Sequence, residues 1–277
     1  MIEESKADFS TIYDRPDPSG YYATLVPLDY RIPDLARPVV AAVHAAARPG
    51  PLLDLCCSYG VNATLLRHRL DFAAMARHLA AAADPAATRR FLDERRRAAP
   101  PDVLGLDVSA PAVEWARRTG LLAGGWAENL EEADPSPQLA AGIADVSTIS
   151  CTGGVGYITA TTFDRVLGAV RRPDQLHAVL FVLRVYPVDD IVATFARYGL
   201  VTEQVPGTTF RQRRFADRAE AAAAVHDVRR NGLDPTGRES DGWFHADCFV
   251  ARPPAAVART PLPVLLAEAV DGPAGNS

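Results

Sequence analysis

The sequence predicts an α/β fold built on a doubly wound, mostly parallel sheet. Short apolar segments alternate with helical patterns along the chain, which is the order produced by βαβ units. The stretch 51–66, PLLDLCCSYGVNATLL, shows one such unit most clearly. Its leucines form a nearly continuous apolar run, as in a strand covered on both faces, and a helical pattern follows Gly60.

Composition limits the function classes. The 277 residues are 48% hydrophobic and 23% charged, which is typical of one globular domain with additions. A net charge of −5 does not favour nucleic-acid binding. The chain lacks a long apolar run and begins with the acidic, polar segment MIEESKADFS, so we expect a cytoplasmic protein without a membrane partner. Its four cysteines lack C-x-x-C spacing, and no metal site is predicted.

The first 50 residues are predicted to form a loop-rich segment and a lead-in helix. The segment 13–31 is interrupted by prolines and Gly20, which favours a loop with one or two helical turns. Asp34 is predicted to cap a helix that runs through Ala47. The candidate substrate residues of this region are Tyr21, Tyr22, Tyr30 and Arg31. The tyrosines either cover a pocket, where an aromatic face attracts a cation, or fasten the N-terminus to the core.

The turn after the first strand differs from a dinucleotide-binding turn. In a G-x-G-x-x-G sequence the glycines let the backbone approach a pyrophosphate, but here Cys56 and Ser58 replace the first two and Gly60 comes late. Small side chains at these positions favour a nucleoside without a diphosphate. The segment resembles motif I, D-x-G-x-G-x-G, of the class I S-adenosylmethionine (SAM)-dependent methyltransferases, with Asp54 as the acid. The resemblance implies a Rossmann-like core at 51–253 with a seven-stranded sheet, which binds SAM through Asp54, Cys56, Ser58 and Gly60. It also implies that the N-terminal segment forms a lid over the pocket.

The next strand begins late, near Asp102, because a helical segment intervenes. Residues 68–100 are rich in alanine and arginine and carry helical spacing. We interpret them as an inserted helical hairpin. It could cover the substrate pocket, form a surface elaboration or provide a homodimer contact.

Asp107 ends the second predicted strand, where an acid can accept hydrogen bonds from both ribose hydroxyls. The segment GLDVSAPAVEWARRTGLL resembles motif II of the methyltransferases, which implies cofactor contacts from Asp107 and Val108. The following GGWAENLEE is similar to the GDAENLP segment of the ubiquinone and menaquinone C-methyltransferases. That similarity implies that Ala127, Glu128 and Asn129 lie beside the adenine, with Trp126 in place of an acid and available for stacking.

The fourth strand and its loop are predicted to face the reaction. The segment AADVSTISCTGGVGYITATTFDRVL corresponds to the region where the resemblance places the methionine moiety and the methyl group. The candidate catalytic residues are Tyr157, Ser150 and Cys151; Ser150 is also a cofactor candidate and Thr152 a substrate candidate. The N-P-P-[YF] sequence of amino-directed enzymes is missing, which argues against nucleic-acid or protein-amide substrates. No histidine occupies a motif position.

Two basic features follow in the second half of the chain. Arg184 ends an apolar strand and is either an active-site cation that binds substrate or one half of a buried ion pair. The arginines of FRQRRF, 210–215, either meet an acidic substrate group or lie on a solvated edge strand. WFHADCFVARP is predicted to be the last strand, and the resemblance implies that this strand is antiparallel. Residues 254–277 are predicted to be a Pro- and Ala-rich tail with one short apolar patch.

Three functions remain open at this stage. The first is methyl transfer from SAM to a small molecule, in bacterial secondary metabolism, with S-adenosylhomocysteine (SAH) as product. The second is a methyltransferase-like cyclase that consumes SAM alone, forming azetidine-2-carboxylate and releasing methylthioadenosine. The third is a SAM-binding subunit without catalytic activity.

Overall fold

An eight-stranded sheet lies at the centre of the computed structural model, which describes residues 14–81 and 83–270. Its strands are β1 (Leu52–Leu55), β2 (Val103–Asp107), β3 (Gly124–Ala127), β4 (Thr148–Thr152), β5 (His177–Leu183), β6 (Val201–Gln204), β7 (Phe210–Arg214) and β8 (Trp243–Arg252). The order across the sheet is β3-β2-β1-β4-β5-β8-β6, and β7 also pairs with β8. The predicted number of seven strands was wrong, because β6 and β7 pair with successive parts of the long β8.

The first five strands are parallel, and β8 is antiparallel to its neighbours. The chain builds outward from β1 to β3 on one side and then returns to place β4 and β5 on the other. Leu52, Leu53 and Leu55 are at most 1% exposed, as expected for a parallel strand covered on both faces. The doubly wound α/β prediction is therefore confirmed, and the strand order reverses between β1 and β4. Ligands of such folds bind in the crevice beyond the carboxyl ends of the strands at that reversal.

Twelve α-helices accompany the sheet in the described part of the chain. They are α1 (Ser19–Leu25), α2 (Ile32–Ala46), α3 (Val61–Arg67), α4 (Phe72–Ala81), α5 (Pro85–Asp93), α6 (Ala110–Arg118), α7 (Pro137–Ile143), α8 (Ala160–Ala169), α9 (Asp189–Arg197), α10 (Arg218–Arg230), α11 (Pro254–Arg259) and α12 (Leu262–Val270). Not one of the helices formed by these residues is both long and apolar enough to cross a membrane.

The lead-in helix α2 begins earlier than predicted. Arg31 occupies its N-cap position, and Asp34 lies within its first turn. The predicted cap was wrong because the Asp34 carboxylate instead accepts hydrogen bonds from the backbone N–H of Phe72, at 3.2 and 3.3 Å. Asp34 therefore ties α2 to the beginning of α4. Tyr13 and the acidic, polar segment MIEESKADFS lie outside the described residues.

The segment 68–100 contains the two predicted helices, α4 and α5. Asp84 caps α5 by accepting a hydrogen bond from the backbone of Ala87. Phe72, the first residue of α4, stacks on Tyr22 with ring centroids 4.7 Å apart and also contacts the rings of Tyr21 and Tyr30. This helix pair therefore packs against the N-terminal segment.

The predicted C-terminal tail is helical as far as it is described. Leu262 and Leu266 of α12 are 2% exposed and belong to the same hydrophobic cluster as the apolar face of α2. The prediction was wrong for 254–270 because apolar residues on helical spacing found a hydrophobic surface to cover, which the sequence alone does not show. Residues 271–277 lie outside the described part.

Candidate functional site

A cavity of about 590 Å³ lies over the carboxyl ends of β1, β2 and β4. The strands and their following loops supply one side of it, and the N-terminal segment and β7 supply the other. The lining residues used below are Asp14, Tyr21, Leu25, Tyr30, Cys56, Ser58, Asp107, Val108, Ser109, Glu128, Asn129, Glu131, Thr152, Gly153, Gly154, Tyr157, Ile158, Gln212 and Arg213. The volume falls within the range of about 300–1,000 Å³ that is usual for small-molecule sites.

The turn after β1 has a left-handed backbone at three positions. Cys56, Ser58 and Gly60 have φ values of 54°, 47° and 77°. For non-glycine residues this conformation costs roughly 1–3 kcal/mol each and persists only when surrounding contacts hold it. The backbone N–H of Cys57 donates to Leu106 O at 3.2 Å, and that of Ser58 to Asp107 Oδ2 at 2.8 Å. Contacts with the end of β2 therefore hold the strained turn in place, with Cys56 and Ser58 on the cavity.

Asp107 presents its carboxylate to the cavity from the end of β2. Its Oδ1 accepts the backbone N–H of Ser109 at 3.0 Å, and its Oδ2 accepts that of Ser58. Burial raises the pKa of Asp107, and the hydrogen bonds from Ser109 and Ser58 oppose this rise. Each oxygen keeps a second lone pair, so the fixed carboxylate can accept two further donors. Val108 is 65% exposed next to it on the cavity wall.

Asp54 lies beneath the turn rather than on the cavity wall. Its side chain is buried, and Oδ1 accepts hydrogen bonds from Asn62 Nδ2 at 3.0 Å and from Ser150 Oγ at 2.7 Å. Oδ2 has no hydrogen-bond partner among the described residues. Burial raises the pKa of Asp54 to about 6, although the bonds from Asn62 and Ser150 lower it. Asp54 thus links the first helix after β1 to β4 below the cavity.

Two predicted catalytic residues do not face the cavity. Ser150 and Cys151 are 0% exposed, and they pair in register with Asp54 and Leu55 inside the sheet. The prediction that they face the reaction was wrong because β4 continues to Thr152, and only this last residue reaches the cavity. Tyr157, the third candidate, lines the cavity and is 51% exposed.

Cys151 nevertheless shapes the floor of the site. A Cβ atom on Gly154 would lie 2.7 Å from Cys56 Sγ and 2.9 Å from Cys151 Sγ. Both distances are well below van der Waals contact, so the two sulfurs pack against the bare backbone of Gly154. Gly60 is more distant and does not line the cavity; it begins α3 as its N-cap.

The segment after β3 contributes two acids. Glu128 lines the cavity and accepts the backbone N–H and hydroxyl of Ser136 at 2.9 and 2.6 Å. Glu131 also lines it and accepts hydrogen bonds from the hydroxyls of Thr159 at 2.7 Å and Thr162 at 2.5 Å. Burial would raise the pKa of Glu131, but the hydrogen bonds from Thr162 and Thr159 outweigh burial and lower it.

Of the three residues expected beside the adenine, Glu128 and Asn129 line the cavity and Ala127 does not. Trp126 is not available for stacking in the cavity, because its ring packs against Gly142 of α7. A Cβ atom on Gly142 would lie only 2.1 Å from Cζ2 of the Trp126 ring. Glu131 was missed; it is the fourth residue of the same ENLEE sequence, and the polar Thr159 and Thr162 were the signal for its position.

The candidate substrate residues divide into two groups. Tyr21, Tyr30 and Thr152 line the cavity. Tyr22 does not, because its ring stacks on Phe72, and burial raises its pKa. Arg31 also lies elsewhere, paired with Asp29 at 2.9 Å.

Arg184 forms a buried ion pair, the second of the two interpretations of this residue. Its Nη1 lies 2.7 Å from Glu239 Oε2, and both side chains are at most 4% exposed. Arg184 lines a separate, smaller cavity and not the main one.

β7 supplies lining residues that the sequence signals only weakly. Arg211 and Arg214 are exposed around the ring of Trp243, as expected for an edge strand. Arg213 and Gln212 are 1% and 3% exposed and line the cavity. Asp14 was also missed; Ser109 Oγ donates to its Oδ1 at 3.5 Å, next to Asp107.

Several buried polar atoms on the cavity wall lack a hydrogen-bond partner among the described residues. They are Ser58 Oγ, Thr152 Oγ1 and Gln212 Oε1. A buried polar atom without a hydrogen bond lowers stability by about 1–3 kcal/mol. Native proteins rarely leave such an atom without a ligand, a water molecule or a function that accounts for it. The cavity is therefore equipped to receive the polar groups of a ligand.

No protein-family model matches the sequence, and no curated protein matches it. Similar solved structures include a TehB-like SAM-dependent methyltransferase from Corynebacterium glutamicum, with 15% identity, a TM-score of 0.41, and coverage of 83% of this chain and 96% of that one. The magnesium protoporphyrin IX methyltransferase of Synechocystis with bound SAM is 12% identical, with a TM-score of 0.40 and 84% coverage of both chains. Geranyl diphosphate C-methyltransferase from Streptomyces coelicolor is 12% identical, with a TM-score of 0.41 and coverage of 90% and 89%. These likenesses are distant; the fold and site described above are defined by this chain's own strand order and contacts.

Proposed function

We propose that this protein is a SAM-dependent methyltransferase that acts on a small molecule. The observation that carries the proposal is the Asp107 carboxylate, fixed by two backbone N–H groups at the edge of a cavity where the strand order reverses. A carboxylate at this position can accept hydrogen bonds from both hydroxyls of a ribose.

The charge of the lining supports a cationic nucleoside rather than a dinucleotide. Among the described residues, four carboxylates line the cavity, those of Asp14, Asp107, Glu128 and Glu131. Arg213 is the one arginine of this described lining, and it is paired with Glu220. The field therefore favours a ligand with a sulfonium and an ammonium group and disfavours a pyrophosphate. The side chains of Cys56 and Ser58 act in the same direction, since they stand where glycines would let a pyrophosphate approach.

The polar atoms present fit SAM group by group. Asp107 would hold the ribose, and Val108 and Asn129 would flank the adenine. Ser58 Oγ and Thr152 Oγ1, both buried and unpartnered, would meet the polar groups of the methionine moiety. When bound, SAM supplies an electrophilic methyl group.

The chain's own contribution to the reaction would be placement. Tyr21, Leu25 and Tyr30 close the cavity on the side of the N-terminal segment and exclude water, and an aromatic face near a sulfonium contributes about 0.5–2 kcal/mol. Tyr157 stands at the exposed rim, where its hydroxyl could contact the acceptor. No histidine is among the residues that line the cavity in the described part of the chain. Holding acceptor and donor in line is itself a large part of the rate enhancement of such a reaction.

Two measurements test the proposal. Calorimetric titration should show binding of SAM and SAH, and no binding of NADH under the same conditions. Incubation with SAM and a pool of small-molecule acceptors should then release SAH, which mass spectrometry detects. Absence of SAH binding, or tighter binding of NADH, would overturn the proposal. Release of methylthioadenosine from SAM alone would instead identify the cyclase reaction.

A further inference from the structure

The two ends of the cavity differ in charge, and this difference bears on the acceptor. Four acids of the lining, Asp14, Asp107, Glu128 and Glu131, form what we call the acidic end. The lining residues of the N-terminal segment and β7, Tyr21, Leu25, Tyr30, Gln212 and Arg213, form what we call the opposite end. They are neighbours, since the rings of Tyr21 and Tyr30 are 6.4 Å apart and Gln212 O accepts the N–H of Arg31. If the acidic end holds the cofactor, as proposed above, the opposite end is left for the acceptor.

Arg213 brings no available positive charge to that end. Its Nη1 and Nη2 lie 2.8 and 2.7 Å from the two carboxylate oxygens of Glu220, and Nη1 also donates to Arg214 O. Its guanidinium is further stacked on Phe244, 4.8 Å from the ring centroid. Both charged side chains of the pair are buried, at 1% and 4% exposure, so they compensate each other locally. An anionic acceptor would therefore find no counter-charge here.

Tyr30 adds no charge either. Burial raises its pKa to about 12, so its hydroxyl stays protonated at neutral pH. The end opposite the acids is thus neutral overall and largely aromatic and apolar in its walls.

Gln212 is the unpartnered polar group of this end. Its side chain is 3% exposed, and Oε1 makes no hydrogen bond within the described part of the chain. The backbone holds the residue in place, because Gln212 O accepts the N–H of Arg31 at 2.8 Å. Its amide lies over Gly153, where a Cβ would be only 2.6 Å from Nε2. A carboxamide offers one acceptor oxygen and a donor N–H₂ in one plane.

We propose that the acceptor substrate is a neutral molecule with an aromatic or apolar body and a carboxamide-like group, such as a primary amide or lactam. The acceptor's N–H donates to Gln212 Oε1 while its carbonyl accepts from Gln212 Nε2. Its body packs among Tyr21, Leu25 and Tyr30. A site built to hydrogen-bond such a group discriminates against analogues without it, because its own buried polar atoms are then left unmet.

Three probes of equal size test this chemistry: benzamide, benzoate and benzylamine. Their binding to the wild-type protein is measured by ligand-observed NMR, with and without saturating SAH. We expect benzamide to bind at least about tenfold more tightly than benzoate, which corresponds to one well-made hydrogen-bonded pair against an unpaired charge. Preference for benzoate or benzylamine, or equal binding of all three, would overturn the inference.

A variant locates the preference at Gln212. Gln212→Leu should weaken benzamide binding about tenfold and leave the SAH affinity unchanged, whereas Gln175→Leu, on an exposed turn outside the cavity, should change neither. A loss of SAH affinity in Gln212→Leu would place this residue with the cofactor and overturn the assignment. Failure of the wild-type protein to bind SAH would count against the proposed function alone, since the probe series without SAH still measures the chemistry of this end.

Discussion

The two ends of the cavity are built in different ways. At the acidic end, Asp107 and the turn beside it come from short stretches at the ends of neighbouring parallel strands, 54–60 and 107–109. The strained turn is held there by hydrogen bonds to the next strand. The opposite end joins Tyr21 and Tyr30 to Gln212 and Arg213, residues far apart in the chain. The first end depends on local backbone geometry, and the second depends on packing and a buried ion pair. Changes at the two ends should therefore affect different properties.

The largest expected effect is on stability, at the end that β7 supplies. Arg213→Met leaves the Glu220 carboxylate buried without its guanidinium partner. Breaking a buried pair from one side typically costs about 3–5 kcal/mol, so the free energy of unfolding in urea should fall by that amount. The double variant Arg213→Met/Glu220→Leu should recover most of the loss. Arg211→Met, on the exposed side of the same strand, serves as control and should change stability by at most about 0.5 kcal/mol. A single variant as stable as the wild type would show that the pair does not hold this end.

The next effect is on binding, at the acidic end. Asp107→Ala removes the acceptor of two ribose hydrogen bonds, each worth about 1.5–3 kcal/mol when one partner is charged. The SAH affinity measured by calorimetry should therefore fall by about 100-fold or more. Asp145→Ala, which removes an exposed carboxylate paired with Arg171, is the matched control and should bind SAH normally. Unchanged affinity in Asp107→Ala would mean that the nucleoside does not lie at this end.

The smallest expected effect is on the pH dependence of stability, and it comes from Asp54, which lies beneath the cavity and not on its wall. The pKa of Asp54 is raised to about 6 in the folded protein, above its value of about 3.9 in an unfolded chain. The stability linked to its protonated form is therefore fully present below pH 4 and is lost as the pH rises through 6. The loss amounts to about 2–3 kcal/mol. The Asp54→Asn side chain cannot titrate. As the pH is raised from 4 to 7, the free energy of unfolding of this variant, measured relative to that of the wild type, should therefore rise by the same amount.

The variant has to be compared with the wild type at each pH between 4 and 7, because burial also raises the pKa of Asp34 to about 6. The pH-dependent stability that Asp34 contributes is the same in both proteins, so it cancels when their free energies of unfolding are subtracted. A difference that stays constant from pH 4 to pH 7 would show that Asp54 is charged throughout and that its hydrogen bonds with Asn62 and Ser150 outweigh its burial.

The sequence determined the Asp107 side of the acidic end and the alternation of strands and helices, but not the positions of Glu131 and Asp14. Apolar runs, an acid at a strand end and small residues at a tight turn are local signals, and parallel strands bring their carboxyl ends to the same edge of the sheet. Asp107, Cys56 and Ser58 were found in this way, and all three lie on the cavity. Local signals do not show where β4 ends. Ser150 and Cys151 were therefore predicted to lie on the cavity, but of these strand residues only Thr152 reaches the cavity.

Only the tertiary structure decided the opposite end, the eighth strand and the helices that replace the predicted tail. Gln212 and Arg213 read as part of a basic edge strand until β8 places them over the carboxyl end of β4 and α10 brings Glu220 to the arginine. Likewise, Leu262 and Leu266 lie in the predicted tail in sequence and are part of the core in the fold. Such contacts join residues far apart in the chain, and their stabilisation comes from burial and charge pairing against a surface that exists only once the chain has folded.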